Sequence, residues 1–287
     1  MEISYFNGEY LPHNEIRISP DERGFLFADG IYEVVRWYGG FFFDMEGHVA
    51  RLKRSLAETS IAWNDAGSFE QIANELIHKN DLGDCCATVY IQVTRGEARR
   101  KHSFPDPPVP PTVYATARRL TSDTLAWENG ISVAVVSDIR WSRCDIKSVA
   151  LLPNVLAFQN ALSAGNGEAF FVRDGLITEA SHSNVFMVRD DVVYTHPESN
   201  YILSGITRKN IITIASENNI NLKEEAITAD MLPYIHEAFV ANTSGEIVPV
   251  IKAGDIVIGG GVPGPVTKRL QNLFRERVEN MRIVMMQ

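Results

Sequence analysis

The run Ile131-Ser132-Val133-Ala134-Val135-Val136, followed by Cys144-Asp145-Ile146-Lys147-Ser148 and then by the apolar stretch Leu151 to Ala164, decides how this chain is read. The first run is almost unbroken in apolar residues and suits a buried strand. The last predicts a helix. Lys147 stands between them, alone among the lysines in lying just past such a strand and just before such a helix. Its neighbours Cys144, Ile146 and Val149 predict partial burial, where the charged form of an ammonium is disfavoured and the amine is freed as nucleophile or proton carrier. A surface lysine that lays its stem along apolar residues would give the same local pattern.

Upstream, short strands alternate with helices. Ile3 to Phe6, the Asn7-Gly8 turn and Glu9 to Leu11 predict a small hairpin. Ile31 to Tyr38, the Gly39-Gly40 turn and Phe41-Phe42-Phe43 predict a second, stronger one. Val49, Leu52 and Leu56 follow at helical spacing, with Arg51 beside their stripe. Phe69 to His78 reads as a further helix, Thr88 to Val93 and Thr112 to Ala117 as strands, and the proline-rich Phe104 to Pro111 as a stiff loop. The polar segment Arg118 to Asp123 marks a boundary, giving domains of residues 1–119 and 120–287. Downstream, Phe170 to Val172, Val185 to Val188, Val192 to Tyr194 and Glu237 to Ala241 read as strands, and a helix opens at Gly205-Ile206-Thr207 and runs to about Asn219.

A length of 287 residues fits two ordinary domains of an α+β protein. With 45% hydrophobic and 22% charged residues, a disordered, collagen-like or disulfide-stapled chain is excluded. The apolar runs are too short or too interrupted to span a membrane, and the start reads as lacking a secretory signal, so a cytoplasmic protein is expected. A net charge of -9 has the wrong sign for non-specific nucleic-acid binding. Cys85, Cys86 and Cys144 cannot all pair, no Cys/His spacing suggests a metal site, and reduced thiols are expected.

Three further clusters could carry chemistry. Thr178-Glu179-Ala180-Ser181-His182-Ser183-Asn184 is a polar run between two predicted strands. A loop explains it, and so does a polar heterocycle with a phosphate arm, since a glutamate pairs with a protonated ring nitrogen and short hydroxyls donate to oxygens. Gly205-Ile206-Thr207 opens a helix, whose first N–H groups are unpaired and favour an anion. Asn242-Thr243-Ser244-Gly245 offers a second set of small donors, and no P-loop pattern is present. Arg95 to His102 is the one basic cluster, either a solvated loop or a carboxylate receptor in which arginine forks onto the anion and a histidine assists. Tyr32 could add a phenol.

Together these segments resemble the fold-type IV aminotransferases that depend on pyridoxal 5'-phosphate, and within them the D-amino acid (D-alanine) branch. The resemblance runs from Asp21 to Val35, through Arg95 to His102, Arg140 to Ser148, Thr178 to Asn184 and Gly205 to Arg208, to Thr243 to Pro249. It implies a smaller N-terminal α/β domain and a larger C-terminal domain with a barrel-like sheet and helices. It also implies that Lys147 forms the Schiff base, that Glu179 faces the pyridine nitrogen, and that Arg51, Ser181, Ile206, Thr207 and Thr243 hold the cofactor. Tyr32, with Arg100 and His102 of the partner subunit in a homodimer, would receive the substrate α-carboxylate. The Arg100-Lys101-His102 pattern points to the D-amino acid branch. His182 departs from the serine of those enzymes, and Asn242 to Gly245 from their Thr/Ser-rich stretch. A D-amino acid and a 2-oxo acid are thus the expected substrates. The alternatives on the same scaffold are a branched-chain L-aminotransferase, an (R)-amine transaminase and an aminodeoxychorismate lyase. A non-catalytic binding protein would be expected to lack Lys147 or Glu179.

Overall fold

The structure, a computed structural model, describes residues 1–285. The chain divides into two compact units. The first holds Met1–Thr121, then Ile146–Ala150, and residues 282–285; the second holds Ser122–Asp145 and Leu151–Met281. The residues around Lys147, deep in the second half of the sequence, therefore belong to the first unit.

The first unit is an antiparallel sheet covered by helices. Its strands are β1 (Ile3–Phe6), β2 (Glu9–Pro12), β3 (Gly30–Tyr38), β4 (Cys86–Thr94) and β5 (Thr112–Arg119), in the order β2-β1-β5-β4-β3. Its helices are α1 (Arg23–Phe27), α2 (Met45–Thr59) and α3 (Phe69–Lys79). Alternation on β3 buries Ile31, Glu33 and Val35 and leaves Tyr32 on the other face, half-buried. Asp44 caps α2 by accepting from the Gly47 N–H at 3.1 Å. Leu52 and Leu56 then pack with Phe69, Ile72 and Leu76 of α3 against the sheet.

The expected second hairpin differs in extent. Phe41 to Phe43 makes only an isolated bridge, Phe42 to Trp37, and β3 pairs instead with β4 along its whole length. The three phenylalanines are buried, and the chain must turn at once into Asp44 and α2, which leaves no room for a longer returning strand.

The second unit is built on a nine-stranded mixed sheet that curls as half a barrel. In chain order its elements are α4 (Thr124–Asn129), β6 (Ile131–Ser137), α5 (Leu152–Ser163), β7 (Glu168–Arg173), β8 (Leu176–Ala180), β9 (Asn184–Arg189), β10 (Val192–Thr195), α6 (Ile206–Glu217), β11 (Leu222–Glu224), β12 (Glu237–Asn242), β13 (Glu246–Ala253), β14 (Ile256–Val257) and α7 (Pro265–Met285). The strand order is β11-β10-β9-β12-β13-β6-β7-β8, with β14 on β13. β6 runs parallel to both neighbours, as its continuous apolar run suggests, yet only Val133 is fully buried. Both faces of this sheet are buried: Val133 packs with Phe170, Val185, Met187 and Val240 on one, and Phe186 and Phe239, at the alternating positions of β9 and β12, are buried and stacked on the other. Thr178 and Glu179 lie on β8, a strand that the polarity of their run disguised as a loop. Among the described residues no helix is long and apolar enough to cross a membrane.

Candidate active site

In the first unit the decisive feature is a backbone contact. β3 is an edge strand and presents unpaired N–H and C=O groups. The segment around Lys147 satisfies them: the Tyr32 N–H donates to the Lys147 carbonyl at 2.9 Å, the Val149 N–H to the Gly30 carbonyl at 3.0 Å, and Ile31 bridges Ser148. Ile146 anchors the segment in the core. Lys147 is half-buried, its Nζ 4.2 Å from the centre of the Tyr32 ring, and among the described residues no carboxylate pairs with it. Tyr32 is itself stacked on Tyr90 at 5.6 Å.

One residue along β3, the buried face carries charge. Glu33 is fully buried and accepts from Arg51 Nε at 2.7 Å on Oε1 and from Nη2 at 2.9 Å on Oε2, and His48 Nδ1 lies 2.9 Å from the same Oε2. Burial alone would raise the Glu33 carboxyl, but the Arg51 charge and the bonds from Arg51 and His48 overcome it and hold the group far below the ordinary range. Burial pulls the His48 imidazole down. Arg51 is thereby fixed by a bidentate fork that uses two of the five donors of a guanidinium. The signal for this cluster was present: His48, Arg51 and Ser55 share the helical face of Leu52 and Leu56, so three polar side chains interrupt a core-facing stripe.

The basic loop is also held from beneath. Arg23 donates to Asp29 at 2.8 Å and to the Lys101 carbonyl at 2.7 Å, and Arg95 forks onto the same Asp29. Phe27 lies under both of the loop's candidate residues, 5.2 Å from the Arg100 guanidinium and 5.4 Å from the His102 ring. Arg100 and His102 are exposed.

In the second unit Glu179 is buried, and its carboxylate accepts from Arg140 Nη1, from Asn184 Nδ2 at 3.2 Å and from the Leu203 N–H at 3.0 Å. Arg140 is divided between two acids, since its Nε and Nη2 are taken by Asp138 at 2.9 and 2.8 Å. Burial therefore prevails at Glu179, and the carboxyl is pushed up to about 7 despite Arg140. A cationic N–H donor would offset that burial, which is what a protonated ring nitrogen supplies. Asn184 also bonds the Leu203 carbonyl at 2.8 Å and so ties Glu179 to the entry of α6.

The α6 N-terminus suits a phosphate. Gly205 caps it without a side-chain bond, and Ile206 and Thr207 are buried in its first turn. Any Cβ at Gly205 would come within 2.1 Å of Asn184 Oδ1, so glycine is needed for that close approach. Thr243 lies in a half-buried turn closed by the Gly245 N–H on Asn242 Oδ1 at 2.6 Å, and Asn242 Nδ2 reaches Ser183 Oγ at 2.8 Å. The Ser181 hydroxyl is committed to the buried Glu168. By their chemistry, an unpaired amine, an under-compensated buried carboxylate and an uncapped helix start fit an aldehyde, a ring nitrogen and a phosphate. Sequence reading assigned no role to Glu33, His48, Arg140 or Glu168; for Arg140 and Glu168 no sequence pattern marks the distant partner, which is Glu179 on β8 for the one and the turn after β8 for the other.

Residues 30–253 match the family described as Amino-transferase class IV. The D-alanine aminotransferase of Staphylococcus haemolyticus is 42% identical over 280 residues, which cover 96% of this chain and 98% of that protein. The D-alanine aminotransferase of Bacillus licheniformis is 39% identical over 275 residues, 95% and 96% of the two chains. Among solved structures, the branched-chain amino acid aminotransferase of Escherichia coli superposes with a TM-score of 0.89 at 25% identity, covering 96% of this chain and 94% of that one. A second branched-chain amino acid aminotransferase, from T.th. and complexed with N-(5'-phosphopyridoxyl)-L-glutamate, does so with a TM-score of 0.84 at 25% identity, covering 96% and 93%.

Two outcomes follow from the charges. Glu33→Gln strips Arg51 of its buried counter-charge and should cost about 3–5 kcal/mol, read from urea unfolding. Glu179 has a folded value above its ordinary 4.5, so its contribution to stability is full below that value and is lost as pH rises through about 7. In cofactor-free protein the unfolding midpoint should therefore fall across that interval less steeply for Glu179→Gln than for the unaltered chain.

Proposed function

Because this chain belongs to the class IV amino-transferases, we propose that it moves an amino group between a D-amino acid such as D-alanine and a 2-oxo acid such as pyruvate or 2-oxoglutarate, using pyridoxal 5'-phosphate. The observation that carries the reading is the Lys147 amine, half-buried on the face of Tyr32 with no acid among the described residues to neutralise it. Identities of 42% and 39% to D-alanine enzymes over nearly the whole chain support the D-amino acid branch, whereas the likeness to branched-chain enzymes stands at 25%.

The bound cofactor supplies the electron sink that makes the substrate Cα–H acidic. Lys147 Nζ would hold the cofactor's aldehyde carbon and, once free, would take the substrate Cα proton as base and deliver it as acid to that aldehyde carbon. Glu179 holds the proton of the ring nitrogen, and Arg140 and Asn184 keep its carboxylate aimed. Arg51, the Ile206 and Thr207 N–H groups, the Thr207 hydroxyl and Thr243 bind the phosphate, with Glu33 fixing the angle of Arg51. Ser181, whose hydroxyl and N–H both donate to Glu168, would serve the cofactor site by fixing the turn that follows Glu179. Tyr32 takes the substrate α-carboxylate together with Arg100 and His102 of the partner subunit, so the working unit is a homodimer.

A panel of D-alanine, L-leucine and (R)-1-phenylethylamine, each offered with 2-oxoglutarate, tests the branch. D-alanine should exceed the other two in kcat/KM by at least about 100-fold, the scale at which a built pocket separates substrates; faster turnover of L-leucine or of the amine would overturn it. Lys147→Ala should lose visible cofactor absorbance on gel filtration, and Arg100→Ala should keep the absorbance while KM for D-alanine rises. Mixed after co-expression, the two variants should regain about a quarter of full activity, because half of the dimers are hybrids carrying one intact site. No recovery would remove Arg100 from the partner's site.

A further inference from the structure

The turn between β8 and β9 contains a histidine whose setting the proposed chemistry leaves unused. Ala180 and Ser183 close the turn, the Ala180 N–H donating to the Ser183 carbonyl at 2.7 Å. Ser181 and Ser183 are buried, while the His182 side chain between them is 52% exposed. Behind all three sits Glu168 at the start of β7, 1% exposed. Its carboxylate accepts from its neighbour's Ala169 N–H at 2.8 Å, from the Ser181 N–H at 3.1 Å, from the Ser181 hydroxyl, from the Ser183 hydroxyl at 3.2 Å, and lies 2.9 Å from His182 Nδ1.

This arrangement fixes which way the imidazole faces. Burial alone would raise the Glu168 carboxyl, but its bonds from His182, Ser181 and Ala169 hold it below the ordinary range, so it acts as a carboxylate acceptor. The proton of the inner ring nitrogen is therefore on Nδ1, shared with Ser181 Oγ at 3.0 Å. Phe158 of α5 packs against the ring in a T-shaped contact, their centroids 4.9 Å apart. Asn154 of the same helix donates to the Ser181 carbonyl at 2.7 Å and pins the turn. A histidine of no consequence on a surface turn has no need of a buried carboxylate, two serines and an aromatic edge to set its angle. The outcome is one directed polar atom, Nε2, on the turn that joins Glu179 to Asn184.

We propose that His182 is a specificity-determining residue whose Nε2 hydrogen-bonds the side chain of D-amino acids bearing a carboxamide or carboxylate on Cβ, with Glu168 as its positioning residue. The inference rests on the transaminase reading, which places the Glu179 to Asn184 turn against the cofactor ring. A carboxamide suits the site because it both donates and accepts, so it meets Nε2 whichever role that atom takes. An aliphatic side chain of the same shape would cover Nε2 and leave it unpaired, and that penalty is how polar pockets reject apolar analogues.

The test compares D-asparagine with the near-isosteric D-leucine as a ratio of kcat/KM in the holoenzyme. His182→Asn keeps a donor for Glu168 and removes the outward nitrogen; the ratio should fall about tenfold, the worth of one hydrogen bond to a polar site. His182→Gln returns a polar atom to the outer reach and should retain most of the ratio. His182→Ser is read in the same way as the asparagine variant if that protein fails to fold. Glu168→Gln should move the ratio in the same direction by a smaller factor. A merely structural histidine would lower both substrates together, and an unmoved ratio overturns the proposal. Turnover of D-alanine by the unaltered enzyme separates the two failures: without it the transaminase reading fails, and with it and an unmoved ratio only the role of His182 does.

Discussion

The open edge of β3 is the constraint from which the rest follows. A strand with unpaired backbone groups must be covered, and here the cover is the short segment around Lys147, sewn on by main-chain bonds at Gly30, Ile31 and Tyr32. The same strand then distributes its side chains by its period of two. Tyr32 lies under the lysine amine, while Glu33 turns inward and binds Arg51. A single pairing register thus places the amine, its aromatic floor and the clamp of a buried arginine. A shift by one residue would exchange the two faces and scatter all three.

Two buried glutamates show how one side chain takes opposite roles. Glu33 receives the whole fork of Arg51 and a histidine, is held ionised, and has nothing left to attract. Glu179 shares Arg140 with Asp138 and is driven up to about 7. The first is a finished interaction that stiffens its unit; the second is short of positive charge and is suited to a cationic ligand. Glu168 is a third case, a carboxylate saturated by its own turn, whose bonds hold a histidine in place.

Much of this was legible in the residues. Helical spacing located α2, α3, α5 and α6, and the strands β4, β5, β7, β9, β10 and β12 lay where apolar runs predicted them. β13 and α7 went unread, and two further misses share a cause. β8 carries Thr178 and Glu179, and polarity made it look like a loop because its acid is buried by partners from β6's exit and from the approach to α6. Phe41 to Phe43 looked like a strand because hydrophobicity was there, but those rings serve a tight corner ahead of α2. Local pattern reports which residues seek burial and says nothing of which distant group will compensate a charge.

The sequence by itself determined the inventory: a lysine between a strand and an apolar helix, an acid in a polar run, an uncapped glycine-led helix start and a basic Arg-x-His loop, each recognisable because its chemistry depends on residue type and near-neighbour spacing. Only the tertiary structure decided that Lys147 leaves the second half of the chain to complete the sheet of the first unit, that Arg51 is fixed by Glu33, that Arg140 is divided between Asp138 and Glu179, and that Glu168 aims His182. All but the Arg140–Asp138 contact join residues far apart in the chain, and their energies arise from burial and approach distance, which come into being only when the chain has folded.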